Sequence, residues 1–127
     1  MTEDIQLSEI FEDYLEVILE LQMTNNVARS KDIAERLNIT PGAVTSTLKK
    51  LSDINLVNYE PYGYITLTSE GKKIAQEIKS RHILLKDFFL RIIGVEEDIA
   101  EKTACRIEHT MDRETFEKFK DFVSSLR

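Results

Sequence analysis

Between residues 8 and 21 the apolar side chains Ile10, Phe11, Tyr14, Leu15, Ile18 and Leu19 recur every third or fourth position, with acidic residues between them. That spacing predicts an amphipathic helix, with Ser8 as N-cap because its hydroxyl can accept from a first-turn N–H. Thr24-Asn25-Asn26 marks a turn, after which Ser30 is expected to cap a short helix, KDIAERLN, ending at an Asn suited to left-handed backbone. Three residues on, Thr40 caps a third helix with Pro41 in its first turn, where a missing N–H costs nothing. Val44, Leu48 and Leu51 form its buried stripe. Two short helices joined by a tight turn read as a helix-turn-helix.

Two β-prone runs follow, LVNYE and YITLT, separated by Pro61-Tyr62-Gly63, a hairpin-turn composition. A hairpin directly after a helix-turn-helix is a wing. Ser69 then opens a long helix through about residue 90, with Ile74, Ile78, Ile83, Leu84 and Phe88 apolar. Gly94 and the acidic EED start another helix to about residue 109, and Asp112 caps a last one, RETFEKFKDFVSSL. The predicted fold is mainly α with a small β-hairpin wing. It comprises a winged helix-turn-helix over residues 1–74 and a helical domain over 75–127, whose surplus of apolar faces suggests a dimer.

Composition narrows the setting. The 127 residues are 42% hydrophobic and 31% charged, with four Gly and two Pro, an ordinary globular balance. No apolar run is long enough to span a bilayer, and the start MTEDIQLSEI lacks the basic-then-apolar order of a signal peptide, so a cytoplasmic protein without membrane contact is expected. Cys105 is the single cysteine, so it is a packed side chain or a ligand rather than half of an intrachain disulfide.

The net charge of −6 is unevenly placed. The first twenty residues carry seven acids and no Lys or Arg, whereas residues 21–50 carry Arg29, Lys31, Arg36, Lys49 and Lys50 against Asp32 and Glu35. A local basic surface can hold DNA once nearby acids are neutralised. Within it, Thr45, Ser46 and Thr47 stand near the front of the third helix behind Thr40 and Pro41, where short polar side chains can approach base edges. Lys49 and Lys50, with Arg29 and Lys31, would engage phosphates, and Tyr62 at the wing tip is a candidate for the backbone or minor groove. Any one of these residues alone fits a solvated helix face. The ordered set of turn, helix and hairpin favours DNA.

A second constellation is of ligand type. Asp13 and Glu16, three apart on the first helix, share a face, although a solvated acidic face is the alternative. Cys105, Glu108 and His109 stand at i, i+3, i+4, so thiolate, carboxylate and imidazole converge as metal donors can; core and surface roles are the alternative. His82, the only other histidine, lies in the same half of the chain. Oxygen and nitrogen ligands suit Mn(II) and Fe(II), and a thiolate draws toward Fe(II), Co(II) or Zn(II).

EDYLEVILEL, IAERLNITPGAVTSTLKKL, a wing ending in ITLTSEGKKIA, then SRHILL, RIIGV and ACRIEH, taken together, resemble the metal-dependent repressors of the DtxR/MntR family over nearly the whole chain. The resemblance implies a winged helix-turn-helix and a helical dimerisation domain, in the short manganese-type architecture. It makes Asp13, Glu16, His82, Cys105, Glu108 and His109 the candidate ligands. Asp13 and Glu16 look like the manganese-type branch and Cys105 like the iron-type branch, so Mn2+ or Fe2+ is implied, with other divalent transition metals in vitro. Lys86 stands where the iron-type ancillary site has a carboxylate, so the resemblance implies that this site does not form in the same way, although Glu101 could still take part in a second ion's shell. The implied function is a metal-dependent repressor of metal-homeostasis genes that binds a palindromic operator as a homodimer.

Three competing readings separate by simple observations. A winged-helix regulator sensing an organic ligand, or oxidation of Cys105, would bind its operator without metal. A metalloenzyme is disfavoured by the absence of H-E-x-x-H and GxSxG motifs. A winged helix that mediates protein contacts alone would show no salt-dependent DNA binding.

Overall fold

The computed structural model describes residues 7–60 and 63–126. Among these residues, six α-helices and one two-stranded antiparallel sheet follow in the order α1 (Glu9–Asn25), α2 (Ser30–Leu37), α3 (Pro41–Asp53), β1 (Val57–Tyr59), β2 (Ile65–Leu67), α4 (Ser69–Asp87), α5 (Glu97–Ile107) and α6 (Arg113–Ser125). Two compact units emerge, residues 1–76 and 77–127.

In the first unit, Ser8 caps α1 by accepting from Phe11 N–H, and Thr40 caps α3 by accepting from Ala43 N–H. Tyr14, Leu15, Ile18 and Leu19 of α1 meet Ile33 and Ala34 of α2 and the Val44-Leu48-Leu51 stripe of α3 in one core. The core extends under the sheet through Leu56, Val57 and Ile65. Strand register pairs Val57 with Leu67 and Tyr59 with Ile65, and the far edge of β2 is closed by reciprocal hydrogen bonds between Ala28 and Ile65. Gln22 accepts from Leu67 N–H at 2.8 Å, fastening the wing to α1. Gly71 is required where it stands, because a Cβ there would lie 2.0 Å from the Leu56 carbonyl oxygen.

Two local expectations change. Ser30 lies inside α2, whose N-cap is Arg29 without a side-chain hydrogen bond, while Asn38 closes that helix in left-handed backbone as expected. The long helix is α-helical only to Asp87 and continues as a π-helical stretch, Phe88–Ile93. Gly94 ends the stretch at φ 88°, donating its N–H to Phe89 C=O at 2.9 Å. Phe88 packs edge-on against Phe89 and Phe119, three rings in van der Waals reach where the wider turn occurs.

The second unit buries Ile78 and Leu85 of α4, Ala100 and Ala104 of α5, and Phe116 and Val123 of α6. Asp112 caps α6 by accepting from Thr115 N–H at 2.7 Å, and this hydrogen bond holds the Asp112 carboxyl below its usual range. Among the described residues no helix is long and apolar enough to cross a membrane.

Candidate metal centre and DNA-reading surface

The second unit brings His82 from α4 together with Cys105 and Glu108 from the end of α5. One ligand atom of each lies within 4.8 Å of the other two. The α5 hydrogen-bond ladder ends near Ile107, but Glu108 keeps helical angles and donates its N–H to Ala104 C=O, so it still stacks one turn beyond Cys105. Arg81 secures this end by donating to the carbonyls of Glu108 and Met111 at 3.3 and 3.0 Å, with its guanidinium over the Phe116 ring. Sequence reasoning missed Arg81; its adjacency to His82 was the one available signal.

Among the described Asp, Glu, Lys and Arg residues, Glu108 alone is buried, at 1% exposure. A buried carboxylate is costly unless it is paired. Its Oε1 lies 2.6 Å from His82 Nδ1 and its Oε2 3.4 Å from His109 Nε2. His82 is also 2.9 Å from Glu101 through Nε2. The Glu108 hydrogen bond, reinforced by Glu101, outweighs burial and raises the His82 pKa to about 9. Glu101 is pushed up by burial, yet hydrogen bonds from His82 and Lys86 hold it below its usual range. Cys105 Sγ, on the exposed side, lies 3.8 Å from His82 Nδ1.

These three donors fit a divalent transition ion. A thiolate, an imidazole nitrogen and a carboxylate oxygen, on two helices and mutually close, make a mixed S/N/O set. In the first unit, Asp13 and Glu16 bring carboxylate oxygens within 4.8 Å of each other on one face of α1, both half-buried.

The candidate DNA-contacting residues lie in the first unit. Lys31, Thr40, Pro41, Ser46, Lys49 and Lys50 are exposed, while Thr45 and Thr47 are half-buried. A cleft is lined by Arg29, Ser30, Thr45, Lys49, Tyr59, Gly63 and Tyr64. The Thr45 hydroxyl donates to Pro41 C=O at 3.2 Å. Arg29 stacks its guanidinium over Tyr64, 5.3 Å from the ring centre. Tyr64 was not among the expected residues, although its place in the wing, YITLT, carried the signal. Tyr62 lies outside the described residues.

Two family models divide the chain: the iron-dependent repressor N-terminal DNA-binding domain matches residues 6–65, and the iron-dependent repressor metal-binding and dimerisation domain matches residues 68–127. An uncharacterized HTH-type transcriptional regulator of Methanocaldococcus jannaschii is 38% identical over 95% of this chain and 98% of its own. The transcriptional regulator MntR of Escherichia coli O6:H1 is 36% identical over 91% of this chain and 74% of its own. Among solved structures, the manganese regulator SloR superposes with a TM-score of 0.78 at 27% identity, covering 98% of this chain and 55% of that one. A manganese-dependent transcriptional repressor in complex with manganese gives 0.81 at 26% identity, covering 90% and 52%. The chain thus spans about half the length of these solved structures.

Proposed function

Because the chain belongs to the iron-dependent repressor family, we propose that it is a cytoplasmic, divalent-metal-dependent transcriptional repressor. It binds a palindromic operator as a homodimer and responds to Mn2+ or Fe2+. The observation that carries this reading is the convergence of His82, Cys105 and Glu108 within 4.8 Å in the unit that follows the winged helix.

The proposed ligands are Asp13, Glu16, His82, Cys105, Glu108 and His109. A bound cation supplies positive charge to this acid-rich set. Without it, the carboxylates of Asp13 and Glu16 repel each other, as like charges in a confined site do. His82 must release its Nδ1 proton to act as a donor there, and Cys105 must act as a thiolate. The first unit is proposed as the DNA reader, with α3 in the major groove, Thr45, Ser46 and Thr47 toward base edges, and Arg29, Lys31, Lys49 and Lys50 toward phosphates. The second unit is proposed as the metal-binding and dimerising half. Fixing two reading heads at one separation requires a differential of about 5.5 kcal/mol to turn a mostly-off population mostly on.

Anaerobic fluorescence anisotropy tests the reading, using DNA from upstream of the protein's own gene and titrations without metal and with Mn(II) or Fe(II). Tightening by metal, lost in the Glu108→Ala, His109→Ala double variant, is expected. Tight binding without metal that is lost in Cys105→Ser would replace this reading with thiol sensing.

A further inference from the structure

We propose that Glu101 is the positioning residue of the metal centre, holding the His82 ring so that Nδ1 faces Cys105 and Glu108. The proposal rests on the metal-dependent reading above. It starts from two facing rows of side chains one helical turn apart: His82 and Lys86 on α4, and Glu97, Glu101 and Cys105 on α5. The rows interlock. Cys105 Sγ lies 3.8 Å from His82 Nδ1, and His82 Nε2 lies 2.9 Å from Glu101 Oε2. Glu101 Oε1 lies 3.2 Å from Lys86 Nζ, which reaches Glu97 Oε2 at 3.4 Å.

An imidazole offers a metal one nitrogen, and the hydrogen bond made by the other decides which nitrogen that is. With Nε2–H donated to Glu101, Nδ1 is the nitrogen left to give up its proton and take an ion; in the metal-free protein it faces the buried Glu108 carboxylate at 2.6 Å. Glu101 is 44% exposed through its side chain, so an unsupported carboxylate there would turn to water. Lys86 prevents this by taking the oxygen that His82 does not use. The same contacts argue that Glu101 is not itself a ligand. Both its oxygens are engaged, and the Lys86 ammonium occupies the space between Glu97 and Glu101 that a second cation would need.

The test uses the full chain with Co(II), whose thiolate charge-transfer and ligand-field absorption report Cys105 and the coordination geometry. Zn(II)-loaded protein adds nitrogen NMR of the His82 ring. Glu101→Ala should weaken Co(II) binding about 10- to 100-fold, alter the ligand-field bands and scramble which ring nitrogen is bound. Glu101→Gln keeps an acceptor for Nε2–H and should restore affinity to within a few-fold, with Nδ1 bound. Lys86→Met should fall between the two. Circular dichroism and urea midpoints of the metal-free variants separate lost positioning from lost folding. If Glu101→Ala leaves affinity and spectra at wild-type values, the positioning role is wrong while the metal centre stands. If Glu101→Gln is as impaired as Glu101→Ala and one fewer ion is bound, Glu101 is a ligand and the proposal is overturned. If the wild type shows no thiolate–cobalt band, the metal-centre reading fails and this inference with it.

Discussion

Glu108 Oε1 sits 2.6 Å from His82 Nδ1, with the carboxylate 1% exposed and the imidazole 15% exposed. In the metal-free protein the pair is self-sufficient, the imidazolium offsetting a carboxylate that burial would otherwise penalise. The same contact occupies two of the proposed donor atoms, so the apo state carries a proton where the loaded state is proposed to carry an ion.

The metal-free protein should lose stability in alkali. His82 in the unfolded chain titrates near 6.5 and in the folded chain near 9. The raised folded value means that its contribution is fully present below the unfolded pKa and disappears as pH rises through the folded one. Urea unfolding with chelator present should show a midpoint that falls between about pH 6.5 and 9. Glu108→Gln should flatten that slope; an unchanged slope would mean that the pair does not govern it.

Metal affinity should move the opposite way. An ion must displace the His82 proton, so the apparent association constant should rise up to about tenfold per pH unit below roughly 9 from this group alone. Competition titrations with a chromogenic chelator at several pH values read the slope directly. A pH-independent constant would remove His82 from the ligand set.

Glycine at position 71 should be indispensable to the first unit. Gly71→Ala would set a methyl carbon 2.0 Å from the Leu56 carbonyl oxygen, backbone that cannot step aside cheaply. The expected cost is about 1–3 kcal/mol or more in urea unfolding. Gly42→Ala is the control: nothing lies within 4 Å of the added carbon, and its position near the start of α3 should make it neutral or stabilising by up to about 1 kcal/mol.

On the DNA surface, Lys49→Ala should weaken binding to all sequences and lower the salt slope by about one. Thr45→Ala should instead reduce discrimination between operator and mismatched DNA by about 1–3 kcal/mol. Anisotropy at several salt concentrations with matched and scrambled duplexes separates the two. The reverse pattern would mean that α3 is docked differently from the proposed geometry.

Much of the local structure was legible because it follows from short-range rules. Ser8, Thr40 and Asp112 cap helices in the structure as their hydroxyl and carboxylate groups and spacing predict. The Val44-Leu48-Leu51 stripe is buried as its period requires. Ser30 misled because a capping residue type does not fix which residue turns extended: Arg29 holds φ −123° and ψ 147°, and helix α2 starts one residue earlier. The π-helical stretch at Phe88–Ile93 was illegible, since an apolar run with helical spacing does not reveal whether each N–H bonds to the carbonyl four residues back or five.

For the candidate metal centre the division is similar. By itself the sequence determined that Cys105, Glu108 and His109 lie within one helical turn and that His82 and Lys86 share a face, because 3.6 residues per turn dictates it. Only the tertiary structure decided that α4 faces α5, which places His82 against Glu108 and Glu101 and sets Lys86 between Glu97 and Glu101. Helix pairing depends on which apolar faces close the core, where Ile78 and Leu85 of α4 and Ala100 and Ala104 of α5 are all buried, and periodicity marks such faces without matching them.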